Sequence, residues 1–202
     1  MAHAAKTVLK KKKEMNETPA QQQKRVDLQK IVQGIEKHVD AWDSVVSQST
    51  QTLSAICNVS VRKITSSSSS TNPVTEIAKL EHYMSQMVRS LELLRDIADK
   101  LSQISLSASE CFSKQPSSST EDQTRRTSSD PSPIELLEVA MYAASCHERE
   151  YWKKKSIISS IDFDNPEILD TALTSWSSDS SIDKQRLKSM LRRSRGFSTS
   201  SS

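Results

Sequence analysis

Glycine is nearly absent from this chain, with 2 residues in 202. That scarcity excludes glycine-rich phosphate loops and argues against a sheet joined by tight turns. Aromatic residues make up only 4% and hydrophobic residues 35%, below the usual globular mixture, so the expected core is thin and elongated. The 3 cysteines, Cys57, Cys111 and Cys146, stand far apart and in odd number. They match neither a metal site nor a disulfide framework and fit a reducing compartment. No apolar run approaches the roughly 18 residues needed to cross a bilayer. The basic start lacks the apolar stretch of a secretory signal. A soluble intracellular protein is expected.

Serine, by contrast, is nearly a fifth of the chain. The net charge of +3 is modest but unevenly placed. Lys10 to Lys13 head the chain, and Arg192, Arg193 and Arg195 close it. Lys10–Lys13 followed by Lys24–Arg25 has the form of a bipartite nuclear-import signal, and equally of a solvated charged tail. These clusters are short and have no aromatics between them to stack bases, so no specific nucleic-acid reader is expected.

The groups that carry catalysis do not assemble in the sequence. His3, His38, His82 and His147 fall in different segments without zinc-binding spacing. His147-Glu148-Arg149-Glu150 lacks the second histidine of a zinc-protease helix. Cys146 and His147 are adjacent, and on a helix neighbours point about 100° apart, so they are not expected to pair. No nucleophile elbow, P-loop or dinucleotide fingerprint is present. The chain is therefore expected not to be an enzyme, and no catalytic residue, cofactor or metal ligand is assigned.

What the sequence does contain is periodicity. Leu28, Val32, Ile35, Val39, Trp42, Val46, Ser49, Leu53 and Ile56 recur in alternating steps of three and four. So do Ile77, Leu80, Met84, Met87, Leu91, Leu94, Ala98, Leu101, Ser105, Ala108 and Phe112. Such a stripe stays on one side of a helix and is buried against another helix. The two stripes are read as a pairing interface in a homo- or heterodimer, with Trp42 its largest knob. Burial at roughly 1.5–3 kcal/mol per side chain barely offsets the cost of ordering two long helices. A third helix or a partner chain is therefore expected.

The organisation follows from the breaks. Residues 1–25 read as a basic disordered tail, and 26–113 as two helices of roughly 26–63 and Pro73 or Val74 to Ser113, folded back through the serine run and Asn72–Pro73. Residues 114–133 read as a serine-rich linker. In 134–196 a helix begins at the cap Ser132 with Pro133 first and Glu135 behind, and runs to about Ile161. A short helix capped by Asn165 and a last one starting at Ser181 or Asp183 and stopped by Gly196 complete that segment; 197–202 is a tail. The fold class is all-α, an elongated antiparallel hairpin or coiled coil with a C-terminal helical segment packed on it.

Phosphorylation candidates are Ser118 and Ser119, each with a carboxylate three positions on, proline-directed Ser132, and Ser194 behind two arginines. Thr18, Thr127 and Ser180 carry similar minimal patterns. Arg89-Ser90-Leu91-Glu92-Leu93 has the form of a cyclin-docking motif, but Leu91 lies on the stripe.

The last third carries a resemblance. Glu148-Arg149-Glu150-Tyr151-Trp152-Lys153-Lys154-Lys155, Asp164-Asn165-Pro166-Glu167-Ile168-Leu169, Trp176, Ser181-Ile182-Asp183 and Arg186-Leu187-Lys188-Ser189-Met190-Leu191 resemble the cyclin-dependent kinase 2-interacting protein family. Ser159-Ser160-Ile161, the lysine-rich helix and the later tryptophan are also similar to AIRIM-type ribosome-maturation factors. The resemblance implies a non-catalytic nuclear adaptor tied to cyclin-dependent and origin-firing kinases, to DNA replication and to checkpoint signalling. It also implies a place on an AAA+ ATPase (unfoldase) complex with a second small helical subunit, acting on replisome and pre-ribosomal factors. Partner docking is assigned on that basis to Tyr151, Trp152, Lys153, Lys154, Lys155, Trp176, Arg186, Leu187, Met190 and Leu191, with a small satellite core around Trp176 as the other reading. Removal of everything after residue 133 is expected to leave a helical dimer without its docking surface. The rival reading is a cytoplasmic tethering or cytoskeletal coiled coil.

Overall fold

The computed structural model describes residues 19–65, 73–114 and 131–195. Five helices occupy them: α1 Pro19–Thr65, α2 Pro73–Ser113, α3 Pro133–Ser159, α4 Pro166–Ser177 and α5 Lys184–Ser194. The first four all open on proline, whose fixed φ and missing N–H suit the first helical position. Side chains close three of the N-termini. Ser132 and Glu135 form a reciprocal capping box at α3, Asn165 accepts from the amides of Glu167 and Ile168 at α4, and Asp183 accepts from that of Arg186 at α5.

Helices α1 and α2 form an antiparallel hairpin, as the serine run between two stripes requires. At its open end Lys24 near the start of α1 donates to the carbonyl of Phe112 at 2.7 Å, and its ammonium lies 4.4 Å from the Phe112 ring centroid. A cation here satisfies a carbonyl at the C-terminal end of α2. This contact corrects the boundary at residue 25. The helix begins at Pro19, because Lys24 and Arg25 are buried residues and not part of a tail. The second half of the import pattern is thus held inside the fold, while Lys10–Lys13 lie outside the described residues.

The third helix that the marginal hairpin called for comes from the chain itself. α3 packs along α2 and against α1, inserting Leu136, Val139, Ala140 and Ala143 into the core. Its alanines let the helices approach closely. α4 and α5 touch α1 and α3 but not α2, so they cover the far side of the bundle. Ion pairs tie them to α1: Lys184 with Asp43 at 2.8 Å, and Arg195 with Glu36. Lys63 of α1 also meets Asp164 in the α3–α4 turn at 2.9 Å.

Candidate docking site

The stripes account for most of this core. Leu28, Val32, Ile35, Trp42, Val46, Leu53, Ile56, Leu80, Met87, Leu94 and Leu101 are buried within the single chain. Val39, Met84, Leu91, Ser105 and Phe112 remain half-buried, with Ile77 exposed at 47%. The stripes therefore bury themselves within one chain, which corrects their assignment to pairing between chains. Truncation after residue 133 would also take from the hairpin the cover that α3 supplies.

A buried polar network joins α1, α3 and the α4–α5 segment. Lys154 Nζ donates to the carbonyl of Trp176 at 2.6 Å and meets Asp179 Oδ1 at 3.1 Å and Glu150 Oε1 at 3.6 Å. Glu150 Oε2 accepts the Ser181 amide at 2.8 Å. Lys184 Nζ reaches Asp179 Oδ2 at 2.7 Å. Burial alone would raise the Asp179 carboxyl, but hydrogen bonds and charge from Lys184 and Lys154 outweigh it and hold it below its ordinary value. For Lys184 burial works toward a lower value, and the Asp179 and Asp43 carboxylates more than reverse it. The two indoles complete the joint. Trp176 Nε1 donates to Ser49 Oγ at 3.0 Å, and Trp42 Nε1 to Asp179 Oδ1 at 3.4 Å.

Burial corrects six of the ten docking residues. Lys154, Trp176 and Leu187 are at 0–1% exposure, and Tyr151, Met190 and Leu191 at 8%. All six belong to the chain's own core, the satellite-core reading. Trp152, Lys153, Lys155 and Arg186 remain at the surface.

Two neighbours also behave differently from expectation. Cys146 Sγ lies 3.4 Å from His147 Nδ1, although adjacent helix residues were expected to diverge. Both bend back toward the carbonyl of Ala143, with His147 Nδ1 at 2.8 Å and Cys146 Sγ at 3.4 Å. Burial pushes the Cys146 thiol up to about 11, so it stays protonated and is no activated nucleophile. His147 stands edge-on to Trp42 with ring centroids 5.0 Å apart.

Of the phosphorylation candidates, Ser118 and Ser119 lie outside the described residues, as do Thr18 and Thr127. Ser132 is 1% exposed, with its Oγ 3.2 Å from a Glu135 carboxylate oxygen. Ser194 is 7% exposed and donates to the carbonyl of Leu191 at 2.7 Å. Neither is presented to a kinase in this fold, which corrects both assignments. Ser180 is exposed and accepts from Lys153. Leu91 of the cyclin-docking pattern packs against the core.

Among the described residues no group of three or more His, Cys, Asp or Glu could hold a metal ion. No helix among them is long and apolar enough to cross a membrane.

A family model described as ribosome biogenesis protein C1orf109-like matches residues 73–194, from the start of α2 to the end of α5. The chain belongs to this family. No curated protein matches it. The family description agrees with the ribosome-maturation side of the resemblance read from the sequence. The matched range includes Lys154, Trp176, Asp179 and Lys184, and so most of the joint that seats the C-terminal helices of this C1orf109-like chain. Trp42, Asp43 and Ser49, on which that joint rests, come from α1 and lie outside the match.

Proposed function

We propose that the chain is a non-catalytic helical adaptor subunit of a ribosome-maturation assembly. The family supplies the process. The observation that carries the binding role is the apolar side of α2 that intramolecular packing leaves over. Ile77 and Val88 are 47% and 45% exposed, and with half-buried Met84 and Leu91 they share one side of α2. This side runs into a cavity of about 440 Å³ lined by Ile77, Leu80, Met84, Ile161 and Phe163 together with the charged Lys63, Glu81, Asp162 and Asp164. A groove beside a helix with apolar walls and charged residues among them suits another amphipathic helix, apolar face inward. A second small helical subunit fits that description.

In the fuller reading the pair sits on an AAA+ ATPase in the nucleus. The resemblance of Arg186–Leu191 and the Asn165–Pro166 turn to the cyclin-dependent kinase 2-interacting protein family supports an extension to cell-cycle kinases, replication and checkpoint signalling. Affinity purification of the tagged chain, in parallel with an Ile77→Asp/Val88→Asp variant, tests this. The expected result is an AAA+ ATPase and a small helical protein with the natural sequence and their loss with the variant. Recovery of tethering or cytoskeletal proteins alone would overturn the proposal.

A further inference from the structure

The chain has 3 tryptophans, and two of them are sealed. Trp42 and Trp176 are fully buried, whereas Trp152 on α3 is 55% exposed. Exposing this much indole to water is unfavourable; its ring meets the Tyr151 ring edge-on with centroids 5.3 Å apart, and cations surround the rest. The Lys155 ammonium lies 4.8 Å from the Trp152 ring centroid. Exposed Lys153 follows Trp152 directly, and exposed Arg149 stands one turn before it.

The tertiary fold lengthens this cluster. α5 docks against α3 so that the Arg186 guanidinium lies 4.6 Å over the Tyr142 ring. Tyr142, Arg149 and Trp152 are spaced by seven and then three residues, which places them on one side of α3. The α5 sequence KQRLKSMLRRS contains five cations and no carboxylate. Lys184 is engaged by Asp179 and Asp43. Lys188 and Arg192 are exposed but share the flank of α5 that carries Lys184 and Arg195 toward α1, so Arg186 is the α5 cation that joins the strip. From Tyr142 to Lys155 the strip spans about 20 Å along the helix axis. Exposed Glu148, one turn before Trp152, and exposed Glu138, one turn before Tyr142, are carboxylates on its border.

We propose that this strip binds single-stranded RNA without sequence preference, with phosphates along the cations and a base stacked on Trp152. Cations alone would suit an acidic peptide equally well. The exposed indole among them favours nucleic acid, because every base offers a π-face to stack while a carboxylate chain gains little from the ring. The proposal is separate from the adaptor reading, since it concerns the isolated chain and none of the residues that line the α2 groove.

The test is fluorescence anisotropy of a labelled twelve-nucleotide oligouridine titrated with the full-length chain. Neutralising about four phosphates predicts a loss of affinity of about 50-fold for a fourfold rise in salt. Trp152→Ala should weaken binding by about tenfold or more, Trp152→Phe should retain most of it, and Arg149→Glu/Lys155→Glu should reduce it further. Glu148→Gln should tighten it. All variants keep Lys10–Lys13, so any share of binding from that cluster cancels in the ratios. Thermal unfolding of each variant checks that the fold is intact. The oligouridine should also quench the tryptophan emission that acrylamide reaches, which comes from Trp152. Unchanged affinity in Trp152→Ala, or competition by polyglutamate as effective as by unlabelled RNA, would overturn the proposal, the latter in favour of an acidic protein surface.

Discussion

Lys154 Nζ stands 3.1 Å from Asp179 Oδ1, with the two side chains at 0% and 2% exposure. This ion pair fastens the α4–α5 connection to α3. It survives burial because neither charge depends on one partner alone: Lys154 also has Glu150 and the Trp176 carbonyl, and Asp179 also has Lys184. A buried pair is often no better than apolar packing, but breaking it leaves a charge stranded.

Asp179→Ala should therefore destabilise the chain by about 3–5 kcal/mol in urea unfolding. Lys154→Met combined with Asp179→Asn should cost less than the sum of the two single changes. Additive losses would show that the two groups do not act as a pair.

Stability should fall on mild acidification. Burial lowers the His147 imidazole below its ordinary value of 6.5, against smaller raising contributions from the Ala143 carbonyl and the Asp179 and Asp43 charges. The unfolded chain then binds the proton more readily than the folded one. Stability is full above about pH 6.5 and declines as pH falls toward the lower folded value. Asp179, also lowered, adds a second loss of the same sign below about pH 4. Melting temperatures from pH 8 to 4 should show the first decline, and His147→Gln should remove most of it. A profile that is flat from pH 7 to 5 in the unaltered chain would contradict this account.

Gly34 in α1 is open to improvement. A Cβ there would meet Ile104 Cδ1 at 3.5 Å, an ordinary contact. Gly34→Ala should therefore stabilise the chain by about 1 kcal/mol, seen as a higher melting temperature. Destabilisation would mean that α2 approaches α1 too closely for a methyl group.

Much of the fold was legible because helices advertise themselves. Prolines at positions 73, 133 and 166, the caps Ser132, Asn165 and Asp183, and the three–four alternation mark α2 to α5 nearly to the residue. The first turns of α1 were missed for a physical reason. Residues 19–25 show no apolar period, and what buries Lys24 is its contact with the carbonyl and ring of Phe112, 88 residues away. The docking assignment failed in the same way. Lys154 reads as one of three surface lysines, and only Asp179 and the Trp176 carbonyl reveal it as a core residue.

The sequence by itself determined that the chain is helical, where most helices begin, and which stripes must be buried, since these depend on local backbone preference and side-chain period. Only the tertiary structure decided what buries them. It turned a pairing surface into an intramolecular core by supplying α3, left Ile77 and Val88 outside it, and set Arg186 of α5 over Tyr142 of α3. Those outcomes depend on contacts between residues far apart in the chain, and no local pattern encodes which helix reaches which face.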